Sequence, residues 1–182
     1  LIVIKVVKAF LQDLQSRICD ALEHIDGRNR FSNEPKTTQY HGLSDPRVLA
    51  GSGSIEKAAV NFSHSIGTSL PKAVSESRKD IAGSPFEAVS LSLIVHPSNP
   101  FVPTTHMNLR LFIIGKESTQ WHFGGGYDLT PTYGFTEDAK YWHLGAKRST
   151  EEHYETMKKK CDEYFYLPHR DEQRGIGGLF FD

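Results

Sequence analysis

The stretch FEAVSLSLIVHPSNPFVPTTHMNLRLFIIG, residues 86–115, contains two apolar runs of strand length on either side of a proline-rich connection. The runs, residues 86–96 and 105–115, are rich in β-branched and other apolar residues and are bounded by proline or glycine. This pattern is typical of β-strands. Prolines in the connection exclude a central strand there and stiffen the chain. The stretch therefore predicts two strands joined by a rigid loop.

Side chains on a strand alternate between its two faces, so each run is predicted to have a polar and an apolar face. His106, Asn108 and Arg110 share one face of the second run, and Ser92 and His96 share one face of the first. The apolar residues lie opposite: Leu91, Leu93, Val95, Met107, Leu109 and Leu111. An arginine fork beside amide, hydroxyl and imidazole groups suits an anionic small molecule. A solvated sheet face would show the same alternation, and both interpretations stay open.

The stretch TQWHFGGGYDLTPTYGFTED, residues 119–138, predicts a third strand that runs into three consecutive glycines. Because glycine loses more backbone freedom on folding than any other residue, this run indicates a close approach to bare backbone. One interpretation is a bulky flat ligand, with Asp128 directed at groups that carry positive charge or lose a proton. The other is a bulge at a sheet edge. The spacings of a P-loop and of G-x-G-x-x-G are absent, which argues against nucleotide binding.

Helices are predicted before and after these strands. Apolar residues recur at three- and four-residue steps from Val7 to Ile25, which predicts an amphipathic helix over residues 4–26 that ends near Gly27. An acidic first turn at residues 137–138 favours the dipole of a following helix. The predicted C-terminal helices cover residues 141–147 and 154–167.

Residues 27–56 are rich in Gly, Ser, Asn and Pro without a period, and they predict loop with at most short structure. Strands in a block with helices before and after indicate an α+β fold with a mainly antiparallel sheet. The length, 182 residues, is that of one ordinary domain, so residues 1–182 are expected to form a single domain.

Composition excludes several classes of protein. Twenty-one basic and 22 acidic residues give a net charge of −1, which lacks the electrostatic footprint of a nucleic-acid binder. No apolar run approaches the ~18 residues of a membrane span. Cys19 and Cys161 fit neither a metal motif nor a secreted disulfide framework, which indicates a reducing compartment. The absence of an initiator Met and the apolar end GIGGLFFD lead us to expect further chain beyond Asp182.

Histidines and arginines supply further candidate groups. His96, His106, His143 and His169 lie beside polar residues, and imidazole is the commonest metal ligand. No HExxH-type pairing is present, so hydrogen-bonded histidines explain the sequence as well. A histidine-bound metal with Asp128 as general base would indicate a hydrolase. In HRDEQRGIGG, two arginines four residues apart repel unless an anionic group lies nearby. They are Arg170 and Arg174.

Four blocks, in order, resemble one enzyme family: SLSLIVHPSNPFVPTTHMNLRLF, WHFGGGYDLTPTYGFTEDAKYWH, KKCDEYF and HRDEQRGIGGLFFD. Together they are similar to oxygen-dependent coproporphyrinogen III oxidase. The resemblance implies a homodimer whose subunit is a large antiparallel sheet with helices on both sides and the substrate in a cleft on the sheet. It implies oxidative decarboxylation of two propionates of coproporphyrinogen III to vinyl groups, which yields protoporphyrinogen IX in haem biosynthesis.

The same resemblance implies molecular oxygen as co-substrate and no organic cofactor. We expect a cytoplasmic protein, and the mitochondrial intermembrane space is the alternative location. The family continues past the point that matches Asp182, so a tetrapyrrole-binding domain without turnover is the alternative function.

Roles for individual residues also follow from the resemblance alone. Asp128 resembles the catalytic carboxylate that engages pyrrole N–H groups, and His106 resembles the proton donor. The three glycines would then let the macrocycle lie against the backbone. The positions that resemble substrate-binding residues are Ser92, Asn108, Leu109, Arg110, Arg170 and Arg174. The histidines that correspond to a divalent metal site are His96, His106, His143 and His169. His169 is alternatively expected at the dimer contact.

Overall fold

The computed structural model of the chain describes residues 2–33, 36–37, 42–70, 81–115 and 120–182. Its helices are α1 (Ile2–Asp26), α2 (Thr136–Thr150) and α3 (Tyr154–Phe165), with a short 3-10 turn at Glu151–His153 between the last two. The strands are β1 (Ser32–Asn33), β2 (Lys36–Thr37), β3 (Leu43–Ala50), β4 (Ile55–Gly67), β5 (Phe86–Pro97), β6 (Thr104–Ile114), β7 (Gln120–Thr130), β8 (Tyr166–Leu167), β9 (Glu172–Gln173) and β10 (Gly177–Phe181).

One antiparallel sheet dominates the fold. Its strand order is β1-β3-β4-β5-β6-β7-β10, and β2 also pairs with β3. Each of these pairings is antiparallel. The short strands β8 and β9 form a separate hairpin. The predicted class, α+β with a large antiparallel sheet, is therefore confirmed, as are the strands β5 and β6. The first residue predicted for the third strand, Thr119, lies outside the described residues.

Helix α1 covers the apolar face of the central strands. Its buried Leu11 and Cys19 pack with β4, β5 and β6 side chains in one cluster: Val60, Phe62, Val89, Leu91, Leu111 and Ile113. The buried amide of Gln15 donates to the backbone carbonyls of Val60, at 3.0 Å, and Asp45, at 2.8 Å. The Gln15 amide nitrogen thus ties the helix to β3 and β4, while the helix removes the apolar face of the strands from water.

The prediction of loop for residues 27–56 was wrong, because this region contains β3 and the start of β4. Strand β3 pairs residue by residue with β4, and Pro46 lies opposite Asn61. On its other side, among the described residues, β3 pairs only with the two-residue strands β1 and β2, so a proline without an N–H is tolerated close to the edge of the sheet. The Asp, Pro and Arg residues of β3 interrupt the alternation of apolar and polar residues from which a strand is predicted.

The C-terminal helices pack against β10, at the opposite edge of the sheet. Leu179 lies in a cluster with Ala146 of α2 and Tyr154 of α3. The next residue, Phe180, stacks on Tyr164 at the end of α3 with ring centroids 4.3 Å apart. Because neighbouring strand residues point to opposite faces, the helices contact β10 on both faces. Among the described residues, no helix is long and apolar enough to cross a membrane.

Candidate active site

Asp128 is a buried acidic group on the polar face of the sheet, with 1% of its surface exposed. Its Oδ2 atom lies 3.1 Å from Nδ1 of His106 and 3.0 Å from Nη2 of Arg174. The hydroxyl of Thr130 lies 3.5 Å from the same oxygen. A buried carboxylate is stable only when charged or hydrogen-bonding partners replace water, and here the imidazole and the guanidinium do so.

The register of three strands builds this arrangement. His106 on β6 lies directly opposite Asp128 on β7, and Asp128 lies opposite Gly178 on β10. This register brings the two predicted catalytic residues together. Arg174 reaches them from the segment between β9 and β10, which turns at Gly175 with a φ of 65°. Glycine adopts such a positive φ without steric cost.

The hydrogen bonds define which nitrogen of His106 is available. Arg174 can only donate, so the Asp128 oxygen that it binds acts as an acceptor. The Nδ1 atom of His106 therefore carries the hydrogen that bonds this oxygen, which leaves Nε2 as the atom that can exchange a proton. The His106 side chain is 28% exposed, in contrast to 2% for Asp128. This geometry is compatible with the predicted proton-donor role.

A pocket of about 290 Å³ lies over these groups, close to the lower limit for small-molecule sites. Its polar lining combines His106, Asn108, Arg110, Asp128 and Arg174. Its apolar lining comes from Met107, Gly125, Gly126, Tyr164, Phe165 and Phe180. The aromatic residues at the end of α3 were not singled out from the sequence. The block KKCDEYF held the signal, because two consecutive aromatic rings at a helix end precede the arginine segment.

The glycine run both lines the pocket and permits close packing of the strands. A Cβ atom at Gly125 would lie 2.5 Å from the backbone oxygen of Asn108, and one at Gly126 would lie 2.4 Å from that of Leu179. Both distances are shorter than real Cβ contacts. The pairing of β7 with β6 and β10 is regular through the run, so the alternative prediction of a bulge was wrong. Neighbouring backbone is thus one of the groups that approach the glycines.

Of the predicted substrate-binding residues, Ser92 and Asn108 lie together on the polar face. The amide of Asn108 donates to the Ser92 hydroxyl at 2.6 Å, across β5 and β6. Arg110 lines the pocket, and its Nη2 atom donates to Asp182 at 2.5 Å. The Asn108 amide is oriented by Ser92, and the Arg110 guanidinium already holds one carboxylate.

Leu109 and Arg170 are not brought to this pocket. The side chain of Leu109 points to the other face of the sheet, where it packs against the core under α1. Arg170 lies in the turn between β8 and β9, where its Nε atom bonds Glu172 at 2.6 Å and its side chain is 63% exposed. The two arginines of the HRDEQRG segment therefore each have their own carboxylate, Glu172 for Arg170 and Asp128 for Arg174. These ion pairs explain how arginines four residues apart are tolerated.

The four histidines assigned to a metal do not converge. His143 has both ring nitrogens engaged, because Nε2 donates to the Ile176 carbonyl at 2.8 Å and Nδ1 accepts from the Tyr154 hydroxyl at 3.0 Å. His96 and His169 are exposed, and His106 is bonded to Asp128. Within the described ranges, no group of three or more His, Cys, Asp or Glu side chains fits a metal ion. The four residues as placed here do not fit a shared divalent metal.

Cys161 lies close to the site but is not a candidate nucleophile. It is fully buried, and burial, with a further contribution from the Asp128 carboxylate, raises the pKa of its thiol to about 11. The thiolate is the reactive form of cysteine, so this side chain stays protonated and inert at neutral pH. It packs as a small apolar residue beneath β10.

Comparison with protein-family models identifies the family of this chain. The sequence model of the coproporphyrinogen III oxidase family matches residues 6–182. The match includes the glycine run, both predicted catalytic residues and the segment that carries Arg174. Since it covers nearly the entire chain, the protein belongs to the coproporphyrinogen III oxidase family, whose members are enzymes of porphyrin biosynthesis.

Proposed function

We propose that this protein catalyses the oxygen-dependent oxidative decarboxylation of coproporphyrinogen III to protoporphyrinogen IX. The observation that carries the proposal is the buried Asp128, bonded to an imidazole and a guanidinium at the base of a pocket on the sheet. In each of two rounds, a propionate –CH2–CH2–COO⁻ becomes a vinyl –CH=CH2 as CO2 leaves. One O2 takes up the two electrons and, with one proton from the substrate carbon and one from solvent, becomes H2O2.

Asp128 supplies electrostatic stabilisation in this scheme. The three side-chain donors all use its Oδ2 atom, and we expect Oδ1 to accept hydrogen bonds from pyrrole N–H groups. Positive charge develops on the electron-rich pyrroles as electrons leave, and a fixed carboxylate in a dry site stabilises that charge. His106 exchanges a proton through Nε2 while its Nδ1 stays bonded to Asp128.

Arg110 and Asn108 bind and orient the substrate's propionates in this scheme. Arg110 is 37% exposed and bonded to the carboxylate of Asp182, so a substrate carboxylate can take the place of that partner. Asn108, fixed by Ser92, adds a donor beside it. Electrons pass from substrate to oxygen without an organic cofactor, and no step depends on a metal ion. The proposal includes the homodimer that the family resemblance implies and the cytoplasmic location that fits the reducing compartment indicated by the two cysteines.

The test is turnover of coproporphyrinogen III by purified protein in air and under nitrogen, with products separated by chromatography and H2O2 measured. We expect protoporphyrinogen IX, CO2 and H2O2 in air and none of them under nitrogen. Equal turnover under nitrogen would contradict oxygen dependence. Binding of coproporphyrinogen III without turnover in air would indicate the alternative, a tetrapyrrole-binding domain. Absence of both binding and turnover would exclude both functions.

A further inference from the structure

Arg174 is held on Asp128 by a single hydrogen bond. Its Nη2 atom donates to Oδ2 of Asp128 at 3.0 Å, while its buried Nε atom has no hydrogen-bond partner. A guanidinium that forms two parallel bonds to a carboxylate is fixed in one plane by that fork. One bond leaves the plane of the Arg174 guanidinium free to rotate. Another contact must therefore set its orientation.

Phe165, the last residue of α3, provides that contact. The Cζ atom of Arg174 lies 3.8 Å from the centroid of the Phe165 ring, well inside the range of a cation–π interaction. The backbone N–H of Arg174 also donates to the Phe165 carbonyl at 3.2 Å. The β8–β9 hairpin connects the two residues. Phe165 is thus tied to Arg174 through both backbone and side chain.

The ring next to Phe165 fixes the end of α3 on the sheet. Tyr164 stacks on Phe180 of β10 with an angle of 14° between the ring planes, and it meets Phe165 edge to face with centroids 4.9 Å apart. Strand β10 pairs in turn with β7, which carries Asp128. The Phe165 ring therefore has a fixed position relative to Asp128.

We propose that Phe165 is a positioning residue of the active site. Its ring holds the Arg174 guanidinium in the orientation that bonds Asp128, and so fixes the direction in which the Asp128 carboxylate faces the pocket. The inference rests on the proposed function, because the effect on turnover has meaning only for an active protein. Phe165 itself does not contact the reacting atoms in this scheme.

The kinetic test compares Phe165→Leu with Phe165→Tyr, which keeps a ring at this position. We expect Phe165→Leu to lower kcat by about tenfold with KM little changed, the size that a cation–π contact in a partly desolvated site supports. Phe165→Tyr should retain most of the wild-type kcat. Phe112→Leu is the control: it removes a ring that stacks on Phe86 and does not line the pocket, and it should lower stability without this loss of kcat.

A double variant separates positioning from packing. Arg174→Lys removes the planar group that stacks on the ring, so Phe165→Leu should cause no further loss of kcat in that background. A loss of the same size in both backgrounds would overturn the inference, as would an unchanged kcat in Phe165→Leu.

A spectroscopic test does not depend on turnover. The Phe165 ring current should shift the Arg174 side-chain N–H resonance upfield, and this shift should disappear in Phe165→Leu and persist in Phe165→Tyr. If the wild-type protein is inactive, the proposed function fails, and this measurement still decides whether Phe165 orients Arg174. An arginine resonance that is identical in wild type and Phe165→Leu would overturn the inference.

Discussion

Asp128 is the central carboxylate of the proposed mechanism. We predict that Asp128→Asn lowers kcat by about two to three orders of magnitude, the cost of removing one preorganised electrostatic group in a dry site. The amide keeps the size of the carboxylate but loses its charge. Because Arg174 is 37% exposed, it can be solvated in the variant, and the fold should persist.

The measurement is steady-state turnover of coproporphyrinogen III, with circular dichroism as the check on folding. Asp138→Asn is the matched control, because it makes the same exchange at an exposed carboxylate at the start of α2. It should behave as wild type. Wild-type turnover in Asp128→Asn would remove Asp128 from the mechanism.

Arg110 is predicted to act in binding more than in the chemical step. Arg110→Ala should weaken the affinity for coproporphyrinogen III about tenfold, the lower end of the range for a charged hydrogen bond, because the residue is partly exposed and screened by solvent. The value of kcat should change much less. Equilibrium binding and steady-state kinetics on the same samples check this.

Arg148→Ala, which removes an exposed arginine from the last turn of α2, is the control for the loss of one positive charge. Unchanged affinity in Arg110→Ala together with lower stability would support the other interpretation of the polar strand face, in which it is only a solvated surface.

Helix α1 is joined to β4 through one carboxylate at its C-terminal end. Asp26 is 4% exposed and accepts from the backbone N–H groups of Ile55, at 2.9 Å, and Asn29, at 2.7 Å. These bonds, chiefly the one from Ile55, hold the pKa of Asp26 below its usual value. A lowered pKa in the folded state stabilises the fold above the pKa of the unfolded chain, about 3.9, and this contribution is lost as the pH falls through the folded value.

We therefore predict that Asp26→Asn lowers the melting temperature at pH 7 by on the order of a few degrees. The free energy of unfolding should also fall less steeply as the pH is lowered in the acid range. An amide has one acceptor oxygen, so at least one of the backbone donors loses its partner. Thermal unfolding at pH 7 checks the melting temperature, and urea unfolding between neutral pH and pH 3 checks the pH dependence of stability. Asp13→Asn, whose carboxylate is 65% exposed, should leave the curve unchanged, and an equal effect of both variants would refute the prediction.

The sequence predicted those elements whose periodicity is set by one buried face. The helical steps of α1 and the alternation in β6 are uninterrupted, and the structure confirms both. Strand β3 was not predicted, because Asp45 and Pro46 are untypical of a strand. They are accommodated by its position near the sheet edge, a tertiary property that the local sequence pattern does not contain. Strand β4 carries alternate buried residues at Ala58, Val60 and Phe62, so its alternation is visible in the sequence.

The geometry of the site was likewise predictable only in part. Strand parity placed His106, Asn108 and Arg110 on one face, and the structure agrees. That His106 lies opposite Asp128 depends on the register between β6 and β7, which a single sequence does not fix without knowledge of the turn. The approach of Arg174 and Phe165 depends on how a later segment packs on the sheet edge, so it was outside the reach of sequence patterning.

The continuous hydrogen-bonded ladder from β4 to β10 predicts that the described fold unfolds as one unit. Helix α1 packs on β4 and β5, whereas α2 and α3 pack on β10, and β6 and β7 connect the two ends. Leu111 in β6 is fully buried, with Val89 opposite it on one side and Phe123 on the other. Loss of its side chain should therefore destabilise both ends of the sheet.

We predict that Leu111→Ala lowers the free energy of unfolding by about 2–5 kcal/mol, the range for a buried Leu replaced by Ala. Far-UV circular dichroism reports the sheet and all helices. Fluorescence of Trp142, which bonds the Gly177 carbonyl, reports the packing of α2 on β10 when both proteins carry Trp121→Phe, because Trp121 in β7 is the second tryptophan of the sequence. The two probes should give coincident urea transitions in wild type and variant, because cooperative unfolding has one midpoint for every probe. Ile25→Ala, at a position 63% exposed, should change stability by less than about 0.5 kcal/mol. If Leu111→Ala moves the dichroism midpoint but leaves the tryptophan midpoint in place, β10 and its helices unfold independently of the sheet, and Arg174 would then be held by a unit separate from the one that carries Asp128.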